Sequence, residues 1–78
     1  MSTGKDRVSM YARTLIKASH VRRFVITAQP SAGWEVREET DTGVIRCAHY
    51  EDWHRVERAR RAFAIEAQSL HQSGWVEE

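Results

Sequence analysis

The spacing of apolar residues changes near Glu51, and this change predicts the secondary structure of most of the chain. Before Glu51, apolar side chains recur at every second position, which places them on one face of a β-strand. These positions are Phe24, Ile26 and Ala28, then Trp34 and Val36, then Ile45 and Cys47. After Glu51, Trp53, Val56, Phe63, Ala67 and Leu70 recur at threes and fours, as on one helix face. We therefore expect three strands followed by one long helix.

The connections between these elements predict how they are arranged. The strands are expected over residues 21–28, 34–39 and 44–50, with a Pro-containing loop at 29–33 and a turn that ends at Gly43. Short connections favour antiparallel neighbours, so the sheet is expected to be a meander with its first strand at an edge. The helix is expected to begin at Glu51 and Asp52 and to end near Gln72. This is an α+β two-layer sandwich.

The N-terminal segment has a different pattern. Residues 1–5 are expected to be disordered, and residues 6–20 to form a basic amphipathic helix or arm ahead of a single α+β domain at 21–76. Val8, Tyr11, Ala12, Leu15 and Ile16 fall at helical spacing, and Asp6 can act as the N-cap. The predicted element order is therefore α-β-β-β-α. Whether this helix docks on the sheet or stays free for a partner is left open.

This order of elements resembles the topology of double-stranded-RNA-binding domains. Members of that family contact phosphates through a basic cluster at the start of the second helix. The corresponding positions here read Tyr50-Glu51-Asp52-Trp53, which has the opposite charge. The resemblance is thus limited to element order, and it assigns no family and no functional residue.

Composition predicts a small folded domain of bacterial type in a reducing compartment. The chain has 78 residues, of which 41% are hydrophobic and 29% charged, and its single cysteine cannot form an internal disulfide. The longest apolar run, Ala62 to Ile65, is far shorter than the roughly 18–20 residues that span a bilayer. We therefore expect a cytoplasmic location and no membrane contact. The Arg-containing start also admits a mitochondrial presequence, which is the less favoured alternative.

Charge is distributed unevenly along the chain, although the net charge is only +1. Residues 1–23 have six basic and one acidic residue, whereas residues 24–78 have six basic and ten acidic residues. The basic positions of the first part are Lys5, Arg7, Arg13, Lys17, Arg22 and Arg23. A solvated N-terminus is the favoured interpretation, and a nucleic-acid-binding arm is the alternative.

Residues capable of chemistry are few and poorly spaced. Cys47, His49, His54 and His71 do not match the paired spacing of zinc ligands, and we expect Cys47 to be buried. The carboxylates Glu35, Glu38, Glu39 and Asp41 are expected at a solvated hairpin edge. The chain contains no nucleophile elbow or phosphate-binding loop. The sequence therefore predicts no catalytic site, no cofactor and no metal.

Protein association is the function that the sequence favours. Trp34 and Trp53 are expected in the core, while Trp75 suits either the core or a partner anchor. The positions most suited to partner contact are Arg55, Arg58, Arg61, Ile65 and Trp75. We expect a non-enzymatic protein-interaction or regulatory module, with the first strand able to form a homodimer through its edge. Nucleic-acid binding through the N-terminal basic residues and the helix arginines is the alternative.

Overall fold

A computed structural model describes residues 8–78, which form one antiparallel sheet and one helix. The strands are β1 (Val8–Lys17), β2 (His20–Gln29), β3 (Gly33–Thr40), β4 (Gly43–Tyr50) and β5 (Val76–Glu77), and the helix is α1 (Trp53–Gln72). Residues 1–5, predicted to be disordered, lie outside the described residues. No helix in the described part is both long and apolar enough to cross a membrane.

The α+β class is confirmed, and so are the three predicted strands, which correspond to β2, β3 and β4. The sheet is larger than predicted, because it has five strands in the order β4-β3-β2-β1-β5. All neighbouring strands in it are antiparallel. Helix α1 covers one face of the sheet. Asp52 is its N-cap and accepts a hydrogen bond from the backbone N–H of His54 at 3.0 Å.

The predicted N-terminal helix is wrong, because residues 8–17 form strand β1. Its apolar residues keep helical spacing but fall on both faces of the strand, with Tyr11 and Leu15 toward α1 and Ala12 and Ile16 on the opposite face. Pairing with β2, and not the local period, therefore selects the strand. Ala18 and Ser19 make the two-residue connection to β2, with Ala18 at φ +56°. Hairpin loops of this length usually contain Gly, Asn or Asp, so the sequence lacked the usual signal of a turn. The order is β-β-β-β-α-β, and the resemblance in element order to double-stranded-RNA-binding domains does not hold.

The core lies between α1 and the centre of the sheet. Four buried side chains come from the sheet and four from the helix: Leu15, Phe24, Ile26 and Val36, then Val56, Phe63, Ala67 and Leu70. The rings of Phe24 and Phe63 are in contact, with centroids 4.9 Å apart. Strand β2 pairs with β1 on one side and with β3 on the other, so it is an inner strand. The predicted homodimer through the edge of this strand is therefore excluded.

Strand β4 is out of phase with its prediction. Its register against β3 pairs Arg46 with Glu38 and Val44 with Glu39, so Ile45 is an extra residue in a β-bulge. The bulge shifts the alternation of side chains, so that Arg46 and Ala48 lie on the face toward α1. Ile45 and Cys47, predicted to be buried, are exposed.

The tryptophans are less central than predicted. Trp53 is 41% exposed, and its ring contacts that of Trp34, with centroids 5.4 Å apart. Trp34 and Trp75 are partly buried against the core cluster. The prediction that Trp53 is a core residue is therefore wrong, since the first turn of α1 lies at the margin of the two layers.

Strand β5 is held to β1 by side-chain contacts as well as by backbone pairing. Arg13 donates two hydrogen bonds to the Glu77 carboxylate, at 2.9 and 2.6 Å, and His71 Nε2 lies 3.2 Å from the same group. The hydrogen bond to Arg13 is the main reason that the pKa of Glu77 is lowered to about 2. The same contact raises the pKa of Arg13. These three side chains join the C-terminal segment to the sheet.

This contact predicts a pH dependence of stability. A carboxyl group whose pKa is lowered by folding stabilises the folded state above its unfolded pKa, about 4.5, and this contribution is lost as the pH falls toward 2. We expect the difference in melting temperature between the wild type and Glu77→Gln to be constant above about pH 5 and to shrink below it. Thermal unfolding followed by circular dichroism from pH 6 to 2 measures this. A difference that stays constant down to pH 2 would contradict the contact.

Candidate interaction surface

Strand β4 forms one outer edge of the sheet. Among residues 8–78, it pairs with β3 on one side and with no strand on the other. Val44 is 53% exposed and Ile45 is 58% exposed, and they are adjacent in the chain. Arg46 is the only Asp, Glu, Lys or Arg residue in this strand. The edge therefore offers backbone groups and aliphatic surface together.

The bulge divides β4 into two parts. It lies at Ile45, near the start of the strand, and bulges bend an edge away from further pairing. From Arg46 to Tyr50 the register against β3 is regular. This second part, five residues long, is the segment that another strand can join.

The side of α1 nearest β4 contains Arg55, Ala59, Ala62 and Glu66 at helical spacing, and the last three line the same cleft as Arg46. Arg55 thus lies one turn before Ala59 on the β4 side of the helix, whereas Arg58 lies on its outer face. In residues 8–78, neither Arg55 nor Arg58 has a carboxylate within 4.0 Å, whereas Arg60 is 2.7 Å from Glu57.

The predicted partner-contact residues do not form one patch. Arg58, Arg61 and Ile65 share the outer face of α1, where Ile65 is 69% exposed. Arg61 lies 3.9 Å from the Glu57 carboxylate. Arg55 lies toward β4, and Trp75 packs against the core after the end of α1. The structure thus brings three of the five residues together and separates the other two.

The basic residues assigned to the nucleic-acid alternative are placed in the sheet as far as the structure describes them. Lys5 and Arg7 lie outside the described residues. Arg13 binds Glu77, Lys17 Nζ donates to the carbonyl of Ser73 at 2.6 Å, and Arg22 contacts two carboxylates. Arg23 is half exposed and lies 3.9 Å from Glu39. Intrachain contacts therefore involve all four described residues.

A cleft opens between α1 and strands β2, β3 and β4. Its polar residues are Arg22, Glu38, Arg46 and Glu66. Glu38 is only 5% exposed, and its carboxylate accepts a hydrogen bond from Arg22 Nη2. The same Arg22 atom lies 3.5 Å from Glu66, and Arg46 Nε lies 3.8 Å from Glu38. A buried carboxylate is stable only with such partners, because transfer of a charge from water is costly.

Glu38 corrects one prediction, since it does not belong to a solvated group of carboxylates. The alternation of β3 placed it on the same face as Trp34 and Val36, and that phase is confirmed. A carboxylate in phase with core residues was the signal of a buried ion pair. The sequence could not identify the partner of Glu38, because Arg22 is 16 residues away and belongs to a different strand.

The candidate metal ligands are dispersed. Cys47 donates a hydrogen bond to the Glu35 carboxylate at 3.4 Å, and the His49 ring contacts the carbonyl of Ala32. The pKa of the Cys47 thiol is raised, mainly by desolvation and secondly by the hydrogen bond to Glu35. In the part of the chain that the structure describes, no group of three or more His, Cys, Asp or Glu residues is arranged to hold a metal ion.

No protein-family model matches the chain, and no match is found among the curated proteins or the solved structures.

Proposed function

We propose that this chain is a protein-association module that binds an extended, acidic segment of a partner protein along the edge of β4. The supporting observation is the outer edge of β4, which is regular over the five residues from Arg46 to Tyr50 and is preceded by Val44 and Ile45, both more than half exposed. An unpaired strand edge presents a row of backbone donors and acceptors to another chain. Addition of a strand satisfies these groups, and the side chains beside them supply specificity.

Charge favours an acidic partner over a second copy of the chain. Strand β4 contains Arg46 and no acidic residue, and Arg55 lies on the side of α1 nearest to it. A second β4 strand, paired antiparallel over Arg46 to Tyr50 about a two-fold axis, would place each Arg46 opposite a Tyr50 and would offer it no carboxylate. Opposite charges on neighbouring strands are favourable. A partner segment with Asp or Glu beside aliphatic residues supplies this opposite charge and uses the exposed aliphatic side chains.

The nucleic-acid alternative has less support. Its four described N-terminal basic residues make intrachain contacts, and a phosphate would have to compete with Glu77, Glu38 or Glu66 for two of those side chains, Arg13 and Arg22. A protein of this type is expected to bind duplex DNA or RNA more weakly than about 10 μM near physiological salt. Arg55 is shared by both proposals, so the test includes a nucleic-acid arm.

A peptide selection tests the proposal directly. The isolated protein is screened against displayed peptides of about ten residues, and we expect enrichment of sequences that alternate Val or Ile with Asp or Glu. An enriched peptide should slow amide exchange from Arg46 to Tyr50. Ile45→Glu should weaken its binding at least about tenfold, since it removes apolar contact and adds repulsion. The matched control Ile65→Glu, on the outer face of α1, should change the affinity less than about twofold.

Several outcomes would contradict this proposal. If Ile65→Glu abolished peptide binding and Ile45→Glu did not, the interaction surface would be the outer face of α1. A selection that enriched no extended acidic sequence would also exclude the proposed partner. Sub-micromolar binding to nucleic acid with a steep salt dependence, lost in the Arg55→Gln/Arg58→Gln variant, would establish the alternative instead.

A further inference from the structure

The cleft between α1 and the sheet has the size of a small ligand. Its volume is about 160 Å³, and its apolar walls are formed by Phe24, Val36, Ala59, Ala62 and Phe63. It exists because two alanines of α1 face this part of the sheet, where larger side chains would fill the space. Phe24 and Phe63 are themselves almost fully buried, so the accessible apolar surface of the cleft comes mainly from the two alanines.

The polar mouth of the cleft has hydrogen-bond donors without a partner among the described residues. Glu38 and Glu66 share the guanidinium group of Arg22. Arg46 is 73% exposed, and its closest carboxylate oxygen, on Glu38, is 3.8 Å away, which is too far for a hydrogen bond. A guanidinium group carries five N–H donors, and no hydrogen bond from the Arg46 side chain to another described residue is found. Arg46 therefore provides free cationic donors at the mouth, beside the half-exposed Glu66.

We infer that this cleft binds a small organic acid, with its carboxylate on Arg46 and its apolar body against the two alanines and the accessible edge of Phe63. An apolar cavity of about 150 Å³ holds one benzene molecule, so a single ring or a short branched chain fits this volume. An arginine offers two parallel donors to a carboxylate. The inference is independent of the proposed partner segment, because it depends on the interior of the two layers and not on the strand edge.

The arrangement discriminates between ligands of opposite charge. A cationic ligand would have to take Glu38 or Glu66 from Arg22, and Glu38 is buried with that partner. An anionic ligand requires only that the exposed Arg46 side chain turn toward the cleft. Three ligands that share one apolar body but have a carboxylate, a neutral amide or an amine therefore distinguish the contribution of charge to affinity from that of apolar contact.

The experiment is a titration of the ¹⁵N-labelled protein with benzoate, benzamide and benzylamine, followed by two-dimensional NMR. We expect saturable shifts for benzoate at Ala59 and Ala62, with a dissociation constant of about 1 mM, weaker binding of benzamide and weakest binding of benzylamine. Arg46→Gln should weaken benzoate binding about three- to tenfold and change benzamide binding less than twofold. The control Arg58→Gln should leave both ligands unaffected.

A cavity-filling variant provides the second test. Ala62→Leu should abolish binding of benzoate while the melting temperature stays the same or rises, because leucine occupies the cleft. Ala64→Leu, at an exposed position of the same helix, should leave binding unchanged. The inference is overturned if benzoate gives no saturable shift up to about 20 mM, if benzylamine binds as well as benzoate, or if Ala62→Leu binds benzoate like the wild type.

Discussion

Leu15→Ala is expected to remove most of the stability of this domain. Leu15 is 0% exposed and contributes from β1 to the core under α1. Replacement of a buried leucine by alanine costs about 2–5 kcal/mol in lost burial and in the cavity that remains. For a domain of this size, a loss of about 3 kcal/mol corresponds to a decrease of about 12–24 °C in melting temperature. Urea and thermal unfolding of the purified variant measure both quantities.

Ile16→Ala is the matched control for this prediction. Ile16 is only partly buried and lies on the opposite face of β1, so its loss should cost less than about 1.5 kcal/mol. In a helix, Leu15 and Ile16 would both lie on the apolar stripe and would respond alike. Equal losses for the two variants would therefore contradict the strand.

Gly33→Ala is expected to have the second large effect. Gly33 has φ +93°, and a Cβ atom at this position would lie 2.4 Å from the carbonyl oxygen of Tyr50. An L-residue in this conformation is strained, and the contact can be relieved only by moving the backbone at the end of β4. We expect a loss of about 2–4 kcal/mol in the free energy of unfolding, measured by urea denaturation.

Gly43→Ala separates backbone strain from the steric contact. Gly43 has φ +135°, and a Cβ atom at this position would have no neighbouring heavy atom within 4 Å. This variant should therefore lose only the conformational part, about 1–2 kcal/mol. If Gly43→Ala were as destabilising as Gly33→Ala, the close approach of Gly33 to Tyr50 would not be important for the fold.

The two candidate surfaces meet at Arg46. In the regular part of β4 its backbone is available to a partner strand, while its side chain lies at the mouth of the cleft beside Glu38. One variant affects only the strand edge and another affects only the cleft, so the two proposals can be tested separately. Ile45→Glu alters the strand edge without lining the cleft, and Ala62→Leu fills the cleft without changing β4.

The sequence by itself determined the elements whose apolar period is unambiguous. The long helix could be predicted because its buried residues, from Val56 to Leu70, keep helical spacing over four turns. Strands β2 and β3 could be predicted because their alternation is regular and their connections contain Pro30, Gly33 and Gly43. The inward phase of Glu38 was also readable from β3.

Only the tertiary structure decided the features that depend on a distant partner. Residues 8–17 have helical apolar spacing, and they become a strand because β2 offers a ladder of hydrogen bonds and a place for Leu15 in the core. The bulge at Ile45 reverses the phase of β4, and it arises from the register with β3, which no local pattern encodes. Arg22 and Arg46 reach Glu38 from other strands. These outcomes follow from pairing between segments that are far apart in the chain, whereas periodicity reports only on neighbours.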